Sequence, residues 1–274
     1  MESTKQLLQR LEAALDLYMQ ENWQRKLPKL KIDWRQTSGD RYAYVSAIAL
    51  QLSAAQISAI DLATQIADWL KHNMFAADEQ FTLHVMPPGL LRVELTDCAI
   101  ATRLQQLTIY PPNLVNDLQN TCGSLSLFNV QYTYARCCSL VCLAVRDRRI
   151  TLKKPIDANS AALFCVCANN PITFLDAQRQ LLCSHATEQA LIVQLLTAFD
   201  CLDGAIASLV IDWEKIAVNV SYAWQKFYAA CRVWGEPKAN QHLVPARLGL
   251  TIVTQTCLRL LLNDKLGTLG PQEL

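Results

Sequence analysis

The sequence predicts an α+β domain, helices packed on a small antiparallel sheet, followed by an all-α helical bundle. Three observations carry this. Apolar residues recur at the helical interval near the N-terminus. Farther on, two short runs of strict apolar–polar alternation flank Pro87-Pro88-Gly89. Past Tyr110-Pro111-Pro112-Asn113 the alternation fades and helical spacing returns. A chain of 274 residues is long enough to bury two separate cores.

The elements follow in order. Leu7, Leu8, Leu11, Ala14, Leu15 and Tyr18 form one face of a first helix, which Pro28 closes. A basic loop holding Gly39-Asp40 comes next. A second helix is expected over roughly Ser53–Leu70, with Ile57, Ile60, Ala63, Ile66, Ala67 and Leu70 on one side. Phe81, Leu83 and Val85 alternate with Thr82 and His84. Leu91, Val93 and Leu95 alternate with Arg92 and Glu94. These are two strands joined by a turn. Thr96 or Asp97 caps the helix that ends near Leu107. Pro111-Pro112 continues neither a helix nor a ladder, so domains are expected at 1–109 and 113–274. In the second, helices are expected over Val130–Val145, from Thr187, over Trp213–Val233 and over Pro245–Leu262. Pro245 suits a first helical turn.

Composition narrows the class. No apolar run reaches the ~18 residues of a membrane span. The longest, Ala161–Ala168 and Ala205–Ile211, have the size of buried helix segments. Met1–Lys5 opens an amphipathic helix rather than a secretory leader, so a soluble cytoplasmic protein is expected. The 11 cysteines include no Cys-x-x-Cys pair, and His72, His84, His185 and His242 stand at no zinc spacing from them. They read as small buried hydrophobes in a reducing compartment, with no metal and no cofactor expected. Net charge is +1, whereas phosphate binding usually shows a basic excess. The cations are clustered, however. One group is Arg25, Lys26, Lys29, Lys31, Arg35 and Arg41. A second is Arg136, Arg146, Arg148, Arg149, Lys153 and Lys154. A third is Lys226, Arg232, Lys238, Arg247, Arg259 and Lys265. A neutral total can hide a basic face, and ordinary solvated faces are the alternative.

Signatures of catalysis are missing. There is no Gly-x-Gly-x-x-Gly, no phosphate loop, no Gly-x-Ser-x-Gly and no His-Glu-x-x-His. Asp97 and Asp212 stand where helix caps are expected, and His84 reads as an outward strand residue.

The run Asn129-Val130-Gln131-Tyr132-Thr133-Tyr134-Ala135-Arg136-Cys137-Cys138-Ser139-Leu140 resembles the opening helix of the DALR anticodon-binding domain of arginyl-tRNA synthetases. Phe227-Tyr228, Cys231-Arg232-Val233, Ala246-Arg247-Leu248 with Leu250, and Leu269-Gly270-Pro271 resemble that domain's closing helices. The N-terminal part is similar to the family's N-terminal tRNA-binding domain. The matching pieces are Gly39-Asp40, Ser46-Ala47-Ile48-Ala49-Leu50, Pro88-Gly89 and Asp97. Where that family carries an aromatic residue and an asparagine for the tRNA elbow, this chain has Leu90 and Arg92.

The resemblance implies a synthetase-like chain without its catalytic domain. Only Thr108–Phe128 separates the two matching parts, too short for a doubly wound nucleotide-binding sheet. The His-x-Gly-His and Lys-Met-Ser-Lys-Ser signatures are missing as well. The implied function is non-catalytic binding of tRNA, most simply tRNA-Arg, as an adaptor or chaperone. Tyr132, Tyr134, Arg136, Tyr228, Arg232 and Arg247, with Arg92 in the first domain, are the candidate RNA contacts, and Trp234 offers a further plane. An anticodon reader needs aromatic planes for unstacked bases and cations for phosphates. Two alternatives stay open: a protein-interaction or assembly factor that has lost RNA binding, and an accessory subunit acting in trans with a separate catalytic chain.

Overall fold

A computed structural model describes residues 4–23, 34–37, 42–53, 57–73, 80–109, 125–151, 171–204, 211–235, 238–268 and 270–271. The Gly39-Asp40 motif, the Tyr110–Asn113 boundary, the apolar run 161–168 and most of the first basic cluster lie outside these residues. The chain divides into two compact units. One comprises Met1–Ala99 with Asp200–Leu209. The other comprises Ile100–Phe199 with Val210–Leu274. These units meet along the chain between Ala99 and Ile100, between Phe199 and Asp200, and between Leu209 and Val210.

The first unit is α+β. Helix α1 (Thr4–Trp23) is followed by β1 (Trp34–Thr37), β2 (Ala43–Ser46), α2 (Ile48–Leu52), α3 (Ala59–Asn73), β3 (Phe81–Met86) and β4 (Leu90–Leu95). The strands form one antiparallel sheet in the order β1-β2-β4-β3. Leu7, Leu8, Leu11, Ala14, Leu15, Tyr18 and Met19 are the buried stripe of α1, and the Tyr18 ring meets the Trp69 ring of α3 edge-on at 5.6 Å. The helix expected over Ser53–Leu70 is α3, which starts at Ala59 rather than Ser53; the short α2 before it was not expected, and it ends where Ser53 turns extended (ψ 127°). Ser58 restarts the chain as a cap: its Oγ accepts the Asp61 N–H at 3.2 Å and donates to the Asp61 carboxylate at 2.6 Å.

In the sheet, Phe81, Leu83, Leu91, Val93 and Leu95 point inward, while Thr82 and His84 face solvent. Gly89 closes the β3–β4 turn at φ +138°. A Cβ there would lie 2.7 Å from the Ala59 backbone, so only glycine fits. Strands β1 and β2 were not expected from the sequence. Tyr42 and Tyr44 on the β2 side are both buried, cross edge-on at 5.4 Å, and donate their hydroxyls to the buried Asp200 carboxylate within this same unit. Beside them, burial first and the Asp200 charge second push the Cys201 thiol up to about 11.

Among its described residues the second unit is mostly helical, with one isolated antiparallel bridge, Leu175–Leu181. It takes most of α4 (Asp97–Ile109), then α5 (Leu125–Arg146), α6 (Ala186–Leu202, to Phe199), α7 (Trp213–Ala230), a 3-10 turn (Lys238–Leu243), α8 (Val244–Leu260) and a wider turn at Leu261–Lys265. Thr96 caps α4, accepting the Ala99 N–H at 3.3 Å, with Asp97 in the first turn. Asp212 caps α7, accepting the Lys215 N–H at 2.9 Å. Helices α5 and α7 lie side by side and run parallel. Ser221 Oγ donates to the Asn129 carbonyl, Gln225 Nε2 to Thr133 Oγ1, and Arg136 Nη2 to Tyr228 Oη, all at the same offset of 92 residues.

Helix α8 is buried nearly all round, from Ala246 to Leu258 without interruption. Two of its hydroxyls bond back into the helix, Thr251 to the Arg247 carbonyl at 3.1 Å and Thr254 to the Leu250 carbonyl at 2.7 Å. Gly249 lets the Ile172–Phe174 segment lie against α8, since a Cβ there would sit 2.6 Å from the Phe174 ring. Cys137, Cys138, Cys183, Cys231 and Cys257 are buried free thiols, Cys98 and Cys201 are partly exposed, and Cys142 is exposed.

Candidate nucleic-acid interface

The exposed side of α5 is set by its core side. Leu127, Val130, Thr133, Tyr134, Cys137, Cys138 and Val141 recur at helical spacing and are buried. That leaves Phe128, Tyr132, Arg136, Ser139, Cys142 and Arg146 on the solvent face. Four residues along a helix advance ~6 Å. Phe128, Tyr132 and Arg136 therefore follow one another up the helix at that step, and Phe128 and Tyr132 are 58% and 48% exposed.

Helix α7 supplies the second wall. Trp224 is buried and stacks face to face with Tyr228, 5.0 Å between centroids and 5° between planes. Tyr228 is thus a half-buried ring held against Trp224. The Arg136 guanidinium lies 5.6 Å from the Tyr228 centroid and donates to its hydroxyl at 3.1 Å. Arg136, Ser139, Leu140, Cys142, Leu143, Arg146, Tyr228 and Trp234 line an open groove of about 490 Å³. At its far end the Trp234 indole N–H donates to Asp147 at 3.1 Å, while Arg149 stands 6.0 Å from the Trp234 ring. Asp147 is also 3.9 Å from Arg146, a loose and exposed pair.

Two of the expected contacts are internal, and this corrects the sequence reading. Tyr134 is 3% exposed, and its ring is the surface against which Gly270 packs; a Cβ on Gly270 would lie 2.8 Å from it. Burial, the main cause, holds its hydroxyl well above the ordinary tyrosine range. Arg247 is 6% exposed. Its Nε donates to Glu188 Oε1 at 2.7 Å and its Nη1 to the Arg232 carbonyl at 2.8 Å. Glu188 in turn accepts the His185 N–H at the start of α6 at 3.0 Å. This group ties the start of α6, the end of α7 and α8 together, so Arg247 is a structural cation.

Arg232 has an exposed side chain and gives its carbonyl to Arg247. Arg92 belongs to β4 of the other unit and pairs with Glu94 at 3.2 Å. The groove therefore gathers Arg136 and Tyr228, with Tyr132 on the same face of α5. Arg146 as a wall and Phe128 as part of the stripe were not singled out for this role by the sequence. Their signal was present in the helical period, once the buried side of α5 is known.

Among the described residues no group of acids, cysteines and histidines is arranged to hold a metal ion, and no helix is long and apolar enough to cross a membrane. Comparisons of the chain with protein-family models, with curated proteins and with solved structures give no match.

Proposed function

We propose that the helical unit is a non-catalytic RNA-binding module, a DALR-like bundle whose ligand is tRNA, most simply tRNA-Arg, presented as an adaptor or chaperone would present it. The observation that carries this reading is the stacked pair Trp224–Tyr228 with Arg136 over the outer ring. A prefixed aromatic plane beside a guanidinium suits an unstacked base and its phosphate. Arg146 and Trp234 extend the same chemistry along the groove, and Tyr132 extends it along α5. The resemblance of residues 129–140 to the opening DALR helix supports the same ligand class. The missing nucleotide-binding signatures support a binding role rather than aminoacylation.

The test is a binding titration with tRNA-Arg and with other tRNAs at several salt concentrations. The reading expects binding that weakens linearly with the logarithm of salt. Tyr228→Ala should weaken it by about 1–3 kcal/mol, the range for one base–aromatic stack. A wild-type protein that binds no tRNA at low salt refutes the reading. In that case the exposed Phe128, Tyr132 and Tyr222 favour a protein partner as ligand.

A further inference from the structure

The end of α5 closes in a way that its residues do not favour. Arg149 N–H bonds the Ala144 carbonyl at 2.9 Å and Arg148 N–H bonds the Val145 carbonyl at 3.0 Å, the two crossed bonds of a Schellman cap. In that motif the residue at the position of Arg148 is left-handed and is normally glycine. Arg148 holds it at φ 55°. Arg179, at φ 63°, is the other non-glycine residue with positive φ among those described. Both arginines belong to turns that border one cavity of about 640 Å³. Its walls include Arg148 and Arg149 on one side, the Asp176–Ala177 turn on the other, and His242.

The cavity carries a cation at its rim. Arg148 is exposed, and its guanidinium has no partner among the described residues. Asp176, the acid in the wall, is engaged by its own turn: its Oδ1 accepts the N–H groups of Gln178 and Gln180, each at 2.9 Å. The cavity also adjoins the groove. Arg149 lines the cavity and stands over Trp234, and Trp234 lines the groove. A cation held at a left-handed backbone position, where glycine is less strained, points to a role for its side chain beyond the favourable charge at a helix C-terminus.

We propose that this cavity is a phosphate site for the same RNA strand that occupies the α5–α7 groove, with Arg148 as the residue that meets the phosphate. The inference rests on the RNA-binding reading and adds to it the direction of the strand. From the stacking rings the strand passes Trp234 and turns over the C-terminal end of α5. The backbone strain at Arg148 is then the cost of placing a cation on that path.

Arg148→Gly tests this in the full chain, because the substitution deletes the cation and relaxes the turn at once. The variant should melt at or above the wild-type temperature. Its affinity for tRNA should fall about five- to eightfold at 0.1 M salt, and its salt slope should drop by roughly one contact, as expected for one phosphate neutralised. An Arg148→Lys variant should recover part of the affinity without recovering the relaxed turn. Wild-type binding with an Arg148→Gly variant of equal affinity and slope overturns the phosphate site and leaves the groove standing. Failure of the wild type to bind any tRNA overturns both, and Tyr228→Ala then has nothing to weaken.

Discussion

Two arginines of the helical unit, Arg247 in α8 and Arg136 in α5, were both expected from the sequence to meet RNA and end in opposite circumstances. Arg247 is enclosed, with its nitrogens committed to Glu188 and the Arg232 carbonyl. Arg136 is exposed, with one hydrogen bond to a tyrosine hydroxyl and the face of that ring beside it. The difference lies in the helices that carry them. Helix α8 is buried without interruption from Ala246 to Leu258, so a cation within that stretch must be neutralised internally. Helix α5 buries one stripe, so a cation on the other side is free to meet a ligand. Residue type alone does not mark a binding arginine; the packing of its helix does.

The largest test of this contrast is to break the enclosed pair. Glu188→Ala leaves the Arg247 charge buried without its carboxylate and also removes the acceptor for the His185 N–H. It should cost about 3–5 kcal/mol, read as a large fall in the urea midpoint. Arg136→Ala, by contrast, should leave that midpoint within about 0.5 kcal/mol of wild type, while tRNA affinity falls. Equal destabilisation by the two variants would remove the distinction. Next in size is Gly249→Ala, which forces a methyl against Phe174 and Ile172 on the same enclosed helix. An overpacking loss of about 1–3 kcal/mol in thermal or chemical unfolding is expected. Asp212→Ala should cost about 1 kcal/mol by removing the α7 cap, without altering the groove end that holds Tyr228.

The buried thiols sharpen the same contrast through pH. Burial, the first cause in each case, raises the Cys137, Cys138 and Cys183 thiols above their ordinary value. A raised pKa in the folded state means the neutral form is held, so its contribution is complete below the unfolded thiol's value. It is lost as pH rises above that value, from about 8.5. Urea midpoints should therefore decline in mild alkali. In native protein, iodoacetamide should modify the exposed Cys142, in the groove, well before these three. Mass spectrometry of partly labelled protein would read the order, and early labelling of Cys137 would contradict the burial of α5's inner stripe.

Much of the architecture was legible because period and capping are local. The stripe of α1, the alternation in β3 and β4, the cap at Asp212 and the core roles of Trp224 and Phe227 each depend on residues within a few positions. Strands β1 and β2 were missed for the opposite reason. They are only four residues long, and β2 earns its place through Tyr42 and Tyr44 reaching Asp200, far along the chain. The candidate site was half legible. Arg136, Tyr228 and Tyr132 could be named from the motif, but nothing local told Tyr134 from Tyr132. They sit two positions apart on α5, about 200° around a helix, and only the partners decide which side is covered.

The sequence by itself determined that an α+β unit precedes a helical one, that five of the eight described thiols would be buried, though not that Cys142 would be exposed, and that aromatic and basic residues would recur on α5 and α7. Those are properties of spacing, and spacing acts over one or two helical turns. Tertiary structure decided which arginine is enclosed, that α5 and α7 run parallel with Arg136 opposite Tyr228, and that Arg148 occupies a glycine's backbone position beside a cavity. The reason is physical: burial and helix pairing are set by contacts between residues some ninety positions apart, and no local pattern encodes which of those pairs will meet.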